Sequence, residues 1–144
     1  MNRLAGQFDH VIDPKGRFIM PAKLRDGLGD SFIVTLGLDG CLYIFSDEGW
    51  DSFTEQLAKL PGTKDQRTTK RHFMANAASC DIDKQGRVLV PEKLRAQAGI
   101  DKEIVLVGMI DKVEMWSKER YEEVNSIDSV DDIVENLTEY GIHF

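Results

Sequence analysis

Apolar positions along this chain fall into short runs broken by turn residues, and the runs come in the same order twice. Residues 8–12 and 79–82 read as short strands that end in turns. In Asp13-Pro14-Lys15-Gly16 the proline presets φ at the first corner and Gly16 can take the left-handed conformation. That suits a type I turn closed by a glycine bulge, a tight hairpin connection. Asp83-Lys84-Gln85-Gly86 repeats it without the proline. Residues 17–20 and 87–90 are return strands. Pro21 and Pro91 have no N–H to donate, so each ends a strand and can open a helix at its first turn. Helices are expected over 22–28 and 92–98, with Gly29 and Gly99 at their C-terminal ends. Strands over 32–36 and 103–107 pair with strands over 42–45 and 113–116 across the Leu38-Asp39-Gly40 and Met109-Ile110-Asp111 turns.

Helical periodicity takes over after each unit. Ser46 can cap a helix with Asp47 and Glu48 in its first turn. Trp50, Phe53, Leu57 and Leu60 follow at helical spacing, a core stripe, until Pro61-Gly62. A second helix over 64–76 sets Lys64, Arg67 and Arg71 on one face with Lys70 adjacent. This stripe could touch phosphates, pair with the acidic tail or face water, and the last two are favoured. In the tail, Ile127, Val130, Ile133, Val134, Leu137 and Tyr140 form an apolar stripe. It needs the chain's own core or a neighbouring subunit to cover it.

The two units are copies. Residues 13–25 recur as 83–95 with seven of thirteen positions identical and no gap. One inserted residue later, Ile33-Val34-Thr35-Leu36-Gly37 matches Ile104-Val105-Leu106-Val107-Gly108, Phe45-Ser46 matches Trp116-Ser117, and Trp50 matches Tyr121. One β-β-α-β-β unit of about 45 residues is too small to bury its sheets alone. Two in one chain can interlock as a pseudo-dimer. The expected division is 1–60 for the first unit and its helix, 61–77 for a linker helix, and 78–144 for the second unit and a helical tail, forming one compact pseudo-dimeric domain.

Composition narrows the class of protein. With 144 residues, 42% hydrophobic and 30% charged, the chain is globular and about one domain long. Disordered, collagenous and disulfide-scaffold classes drop out. No apolar run approaches the roughly 18 residues of a membrane span, and the first ten residues lack a secretory h-region. The cytoplasm is the expected compartment. Cys41 and Cys80 read as two small buried hydrophobes in a reducing compartment. Catalysis is not expected. His10, His72 and His143 are scattered, no nucleotide-loop, hydrolase or zinc motif is present, and no cofactor or metal site is evident.

The net charge of −7 argues against a nucleic-acid partner only if it is evenly spread, and it is not. From Ser117 to the C-terminus two basic residues face eight acidic ones, whereas residues 1–116 are nearly balanced. Within that body lie two basic patches. Lys15, Arg17, Lys23 and Arg25 occur without an acid between Pro14 and Arg25, and Lys84, Arg87, Lys93 and Arg95 stand against Glu92 alone. The planar arginine fork suits phosphates and guanine edges, and two related patches on a pseudo-two-fold body could read repeated sites on a duplex. Two plainer readings stand beside this one. Asp13 with Arg17, and Asp83 with Arg87, can pair across their own turns. Lys23, Arg25, Lys93 and Arg95 can be a solvated helix face. The aspartate could also do both, capping the turn and orienting the arginine.

D-x-x-x-R twice, each time followed by a proline and K-L-R and then a Trp- or Tyr-bearing helix, resembles the MraZ transcriptional regulators. The resemblance is strong from about Arg3 to Trp116 and loose in the tail. It implies an α+β, β-rich fold: two AbrB-like swapped-hairpin units forming a double-split β-barrel with flanking helices. It implies a sequence-specific DNA-binding regulator, a repressor of the division and cell-wall gene cluster that contains its own gene. Such a protein is cytoplasmic and nucleoid-associated. It binds promoter direct repeats in double-stranded DNA as a ring-shaped, octamer-like homo-oligomer. DNA contact falls to Arg17 and Arg87, with Asp13, Gly16, Asp83 and Gly86 shaping the turns. Arg17 carries more weight, because the second copy lacks the proline and Glu92 dilutes its charge. The rival reading is an antitoxin-like module that sheathes a protein partner, which a stoichiometric co-purifying protein would favour.

Overall fold

In the computed structural model, described for residues 3–126 and 129–143, the elements follow the expected order. They are β1 (Gln7–Val11), β2 (Arg17–Ile19), α1 (Ala22–Leu28), β3 (Ser31–Leu36), β4 (Leu42–Ser46), α2 (Asp47–Ala58) and α3 (Lys64–Met74). The second copy supplies β5 (Ala78–Asp81), β6 (Arg87–Leu89), α4 (Glu92–Gln97), β7 (Glu103–Gly108), β8 (Val113–Ser117) and α5 (Lys118–Val124), and α6 (Val130–Glu139) closes the chain. The local signals explain the boundaries. Pro21 and Pro91 precede α1 and α4, and Gly29 and Gly99 take positive φ just beyond them. The Ser46 hydroxyl accepts the Gly49 N–H at 3.0 Å and Ser117 accepts the Arg120 N–H at 3.1 Å, so the duplicated serine caps both following helices.

The pairing of strands crosses between the copies. A six-stranded sheet runs β1-β7-β8-β4-β3-β5, all antiparallel, and β2 with β6 makes a separate two-stranded ribbon. The β3–β4 and β7–β8 hairpins are the expected ones. The strands flanking each aspartate turn, by contrast, do not zip together as a hairpin ladder. Before the Asp13 turn β1 joins β7 of the second copy, after it β2 joins β6, and before the Asp83 turn β5 joins β3 of the first copy. Each unit thus lends strands to the other, which meets the burial problem posed by a 45-residue unit.

Side chains alternate across the sheet and both faces are covered. Leu42, Ile44, Ile104, Leu106, Val113 and Met115 meet Phe18 and Val88 of the ribbon and Leu24 and Leu94 of α1 and α4. Tyr43, Phe45, Val105 and Trp116 meet Trp50, Phe53, Leu57 and Phe73 of α2 and α3, the stripe expected from periodicity. His72 is satisfied by the Gly37 carbonyl at 2.9 Å. Both cysteines are buried, and burial pushes the Cys41 thiol up to about 12 and the Cys80 thiol to about 11. Among the described residues no helix is long and apolar enough to cross a membrane.

The tail differs from a single amphipathic helix. It forms α5 and then α6, and Val130, Ile133 and Val134 of α6 are exposed while Leu137 is only half-buried. The chain's own core therefore does not cover this stripe. Ile127 lies outside the described residues. Among the described residues Lys64, Arg67 and Arg71 make no ion pair, so the expected pairing with the acidic tail is not seen. All three are exposed.

Candidate nucleic-acid interface

Each aspartate turn closes on itself. The Asp13 N–H donates to the Arg17 carbonyl at 2.8 Å and the Gly16 N–H to the Asp13 carbonyl at 2.9 Å, with Gly16 at φ +90°. The Asp13 Oδ1 accepts the N–H groups of Lys15 and Arg17, both at 2.9 Å, and its Oδ2 accepts Arg17 Nε at 2.8 Å. The second turn repeats this with Asp83 Oδ1 on the N–H groups of Gln85 and Arg87 and Oδ2 on Arg87 Nε at 2.9 Å. Each aspartate thus caps its turn and pairs with its arginine across it. It engages only the Nε of each arginine. The Nη atoms of Arg17 and Arg87 make no hydrogen bond to the described residues, so each fork keeps its outer donors for a ligand.

The ribbon brings the two forks to one surface. In the β2–β6 register Arg17 lies opposite Leu89, Phe18 opposite Val88, and Ile19 opposite Arg87. Directly opposed residues share a face and successive ones alternate. Phe18 and Val88 are buried beneath, so Arg17, Leu89, Ile19 and Arg87 form the outer face, in two rungs. Ile19 and Leu89 escaped the reading of charged residues. Their signal was the recurrence of an aliphatic residue two positions after the arginine in both copies.

The two ends of the ribbon are not equivalent. Arg95, from the second copy, lies over the first turn. Its Nε donates to the Val90 carbonyl at 3.0 Å, and a Cβ on Gly16 would come within 2.5 Å of that nitrogen. The first turn thus gathers Lys15, Arg17 and Arg95. Gly86 has open space where a Cβ would go, and Arg25, the counterpart of Arg95 in the first copy, pairs with Asp30, Nε to Oδ1 at 2.9 Å. Lys84 and Arg87 remain at the second turn. Lys23 and Lys93 lie exposed on α1 and α4, as a solvated helix face would have them.

Both turn carboxyls are held below the ordinary carboxylate range. The backbone N–H of the arginine four residues on is the largest cause; desolvation opposes it, and the arginine's guanidinium adds to the lowering. A depressed acid contributes stability that is present above its unfolded pKa of about 3.9 and is lost as pH falls through the lower folded value. The double variant Asp13→Asn/Asp83→Asn should therefore lose part of the acid dependence of unfolding on the low side of that pKa. Tryptophan fluorescence during acid titration at fixed denaturant checks it; superimposable acid limbs would mean the turns carry no such linkage.

Comparison with known proteins follows the same duplication. The family profile of the MraZ protein matches residues 4–72 and again 73–138. Relatives named transcriptional regulator MraZ align over nearly the whole chain. That of Lachnoclostridium phytofermentans is 53% identical over 96% of this chain and 98% of its own. That of Thermoanaerobacter pseudethanolicus is 49% identical over 96% and 99%, and that of Clostridium beijerinckii 46% identical over 95% and 98%. On a twice-matched profile and relatives of this identity and coverage, the chain belongs to the MraZ family.

Proposed function

We propose that this chain is a DNA-binding transcriptional regulator that lays the outer face of the β2–β6 ribbon in the major groove. That groove admits a two-stranded β-ribbon. The observation that carries the reading is the pair of arginine forks on that face, each clamped by an aspartate through Nε and free at Nη. A clamped fork loses little freedom on binding a guanine edge bidentately. Lys15 and Lys84 in the turns, with Arg95, bind phosphates in this reading. Lys23, Arg25 and Lys93 contribute at most a longer-range field.

Further detail extends the same reading. The operator is a set of direct repeats upstream of the chain's own gene, in the division and cell-wall cluster, and occupancy represses that promoter. A ring of subunits repeats the ribbon at a fixed spacing, so linked weak sites gain avidity where the DNA spacing matches. The strand exchange between copies supports a double-split barrel as the body that carries the ribbon. The uncovered stripe of α6 suits a contact with another protein surface, either a second subunit or the partner of a sheathing module.

Fluorescence anisotropy with DNA from immediately upstream of the gene, alongside a shuffled duplex, tests the proposal across a salt series. The expected result is tight binding to the first, weak binding to the second, and log affinity falling linearly with log salt at about −0.9 per phosphate contact. Equal affinity for both duplexes would overturn it, and a protein partner retained in stoichiometric amount would then favour the sheathing module.

A further inference from the structure

We propose that Ile19 and Leu89 are specificity-determining residues that read 5-methyl groups of thymine beside the bases taken by Arg17 and Arg87. The inference rests on the ribbon being the DNA-facing surface. Ile19 and Leu89 are 50% and 57% exposed although they flank the fully buried pair beneath. Single exposed aliphatics need no explanation. These two are different in placement: they sit at equivalent positions of the two copies, on one face, each directly opposite an arginine. Directly opposed side chains have Cβ atoms about 5 Å apart, and the two rungs stand about 7 Å apart along the strands.

That arrangement matches a chemistry peculiar to the major groove. Guanine presents N7 and O6 acceptors there, and thymine presents a methyl group, the largest apolar feature of the base edges. Stacked bases rise about 3.4 Å per step along each strand. One rung can therefore set a donor fork on a guanine and an aliphatic side chain on a methyl one or two steps away. The second rung repeats the pair with reversed polarity, since β2 and β6 are antiparallel. An aliphatic pair reads no phosphate, so it adds sequence preference without adding to salt dependence.

The test compares the upstream duplex with the same duplex synthesised with deoxyuridine in place of every thymidine, which removes only the 5-methyl groups. Wild-type protein should bind the uracil duplex about fourfold more weakly per methyl read, the ratio that about 0.8 kcal/mol per buried methylene-sized group gives. Ile19→Ala/Leu89→Ala should bind the two duplexes alike, near the wild-type affinity for uracil DNA, with an unchanged salt slope. Arg17→Ala should bind both more weakly and keep the thymine preference. Equal binding of both duplexes by wild-type protein, or full thymine preference in the aliphatic double variant, would overturn the inference while leaving promoter binding intact. A changed subunit number in the double variant by light scattering would assign the pair to a subunit contact and overturn it too. Failure to prefer the promoter over the shuffled duplex would instead sink the parent reading.

Discussion

Replacing both Arg17 and Arg87 by alanine should reduce affinity for the upstream DNA by roughly 30-fold to four orders of magnitude, since each good bidentate base contact discriminates by about 1–3 kcal/mol. The fold should survive, because Asp13 Oδ1 and Asp83 Oδ1 still accept the backbone N–H groups that close the turns. The single variants should be unequal. Arg17→Ala should cost more, because Arg95 sits over the first turn while its counterpart Arg25 pairs with Asp30 and no described residue lies over Gly86. The kind of loss identifies the contact. If the forks reach base edges, discrimination against shuffled DNA collapses. If they reach phosphates, binding weakens uniformly and the salt slope falls by about one per contact. Anisotropy on both duplexes at several salt concentrations separates the two. An unchanged affinity in the double variant would reduce both arginines to turn-pairing residues.

Phe18→Ala should destabilise the protein by about 3–5 kcal/mol, the usual cost of truncating a buried phenylalanine, out of a total of about 5–15 kcal/mol for an ordinary domain. Phe18 is 2% exposed and its cross-strand partner Val88 is wholly buried. Together they are the only residues through which the two three-residue strands β2 and β6 face the core. A two-stranded ribbon of that length has no stability of its own, so its position depends on this anchor. DNA affinity should fall with stability although residue 18 points away from the outer face. Ile19→Ala, one position along, should stay within about 0.5 kcal/mol of wild type, as surface changes do. Urea denaturation of the two variants side by side checks the contrast; similar midpoints would mean that burial alternates differently along the ribbon.

The duplicated local pattern was legible wherever neighbouring residues decide the outcome. The aspartate turns with Gly16 and Gly86 at positive φ, the helices opened by Pro21 and Pro91, the Ser46 cap and the Trp50-Phe53-Leu57 stripe all appear where spacing places them. Each rests on a φ preference, a missing N–H or a helical period, and none needs a distant partner. The candidate interface was legible in part. Arg17 and Arg87 stood out by charge and repetition, whereas Ile19 and Leu89 carry no charge to mark them.

Sequence alone determined that the chain is two copies of one β-rich unit, with a turn, a basic segment and a capped helix in each, because those features are set within a few residues. Only the tertiary structure decided which strands meet. Alternation states which face of a strand is buried but not whose backbone it pairs with, so the joining of β1 to β7, β5 to β3 and β2 to β6 follows from burying the combined core. The same exchange carries Arg95 from the second copy onto the first turn. It also brings two arginines 70 positions apart onto one outer face. Their convergence depends on long-range packing, and no local pattern encodes it.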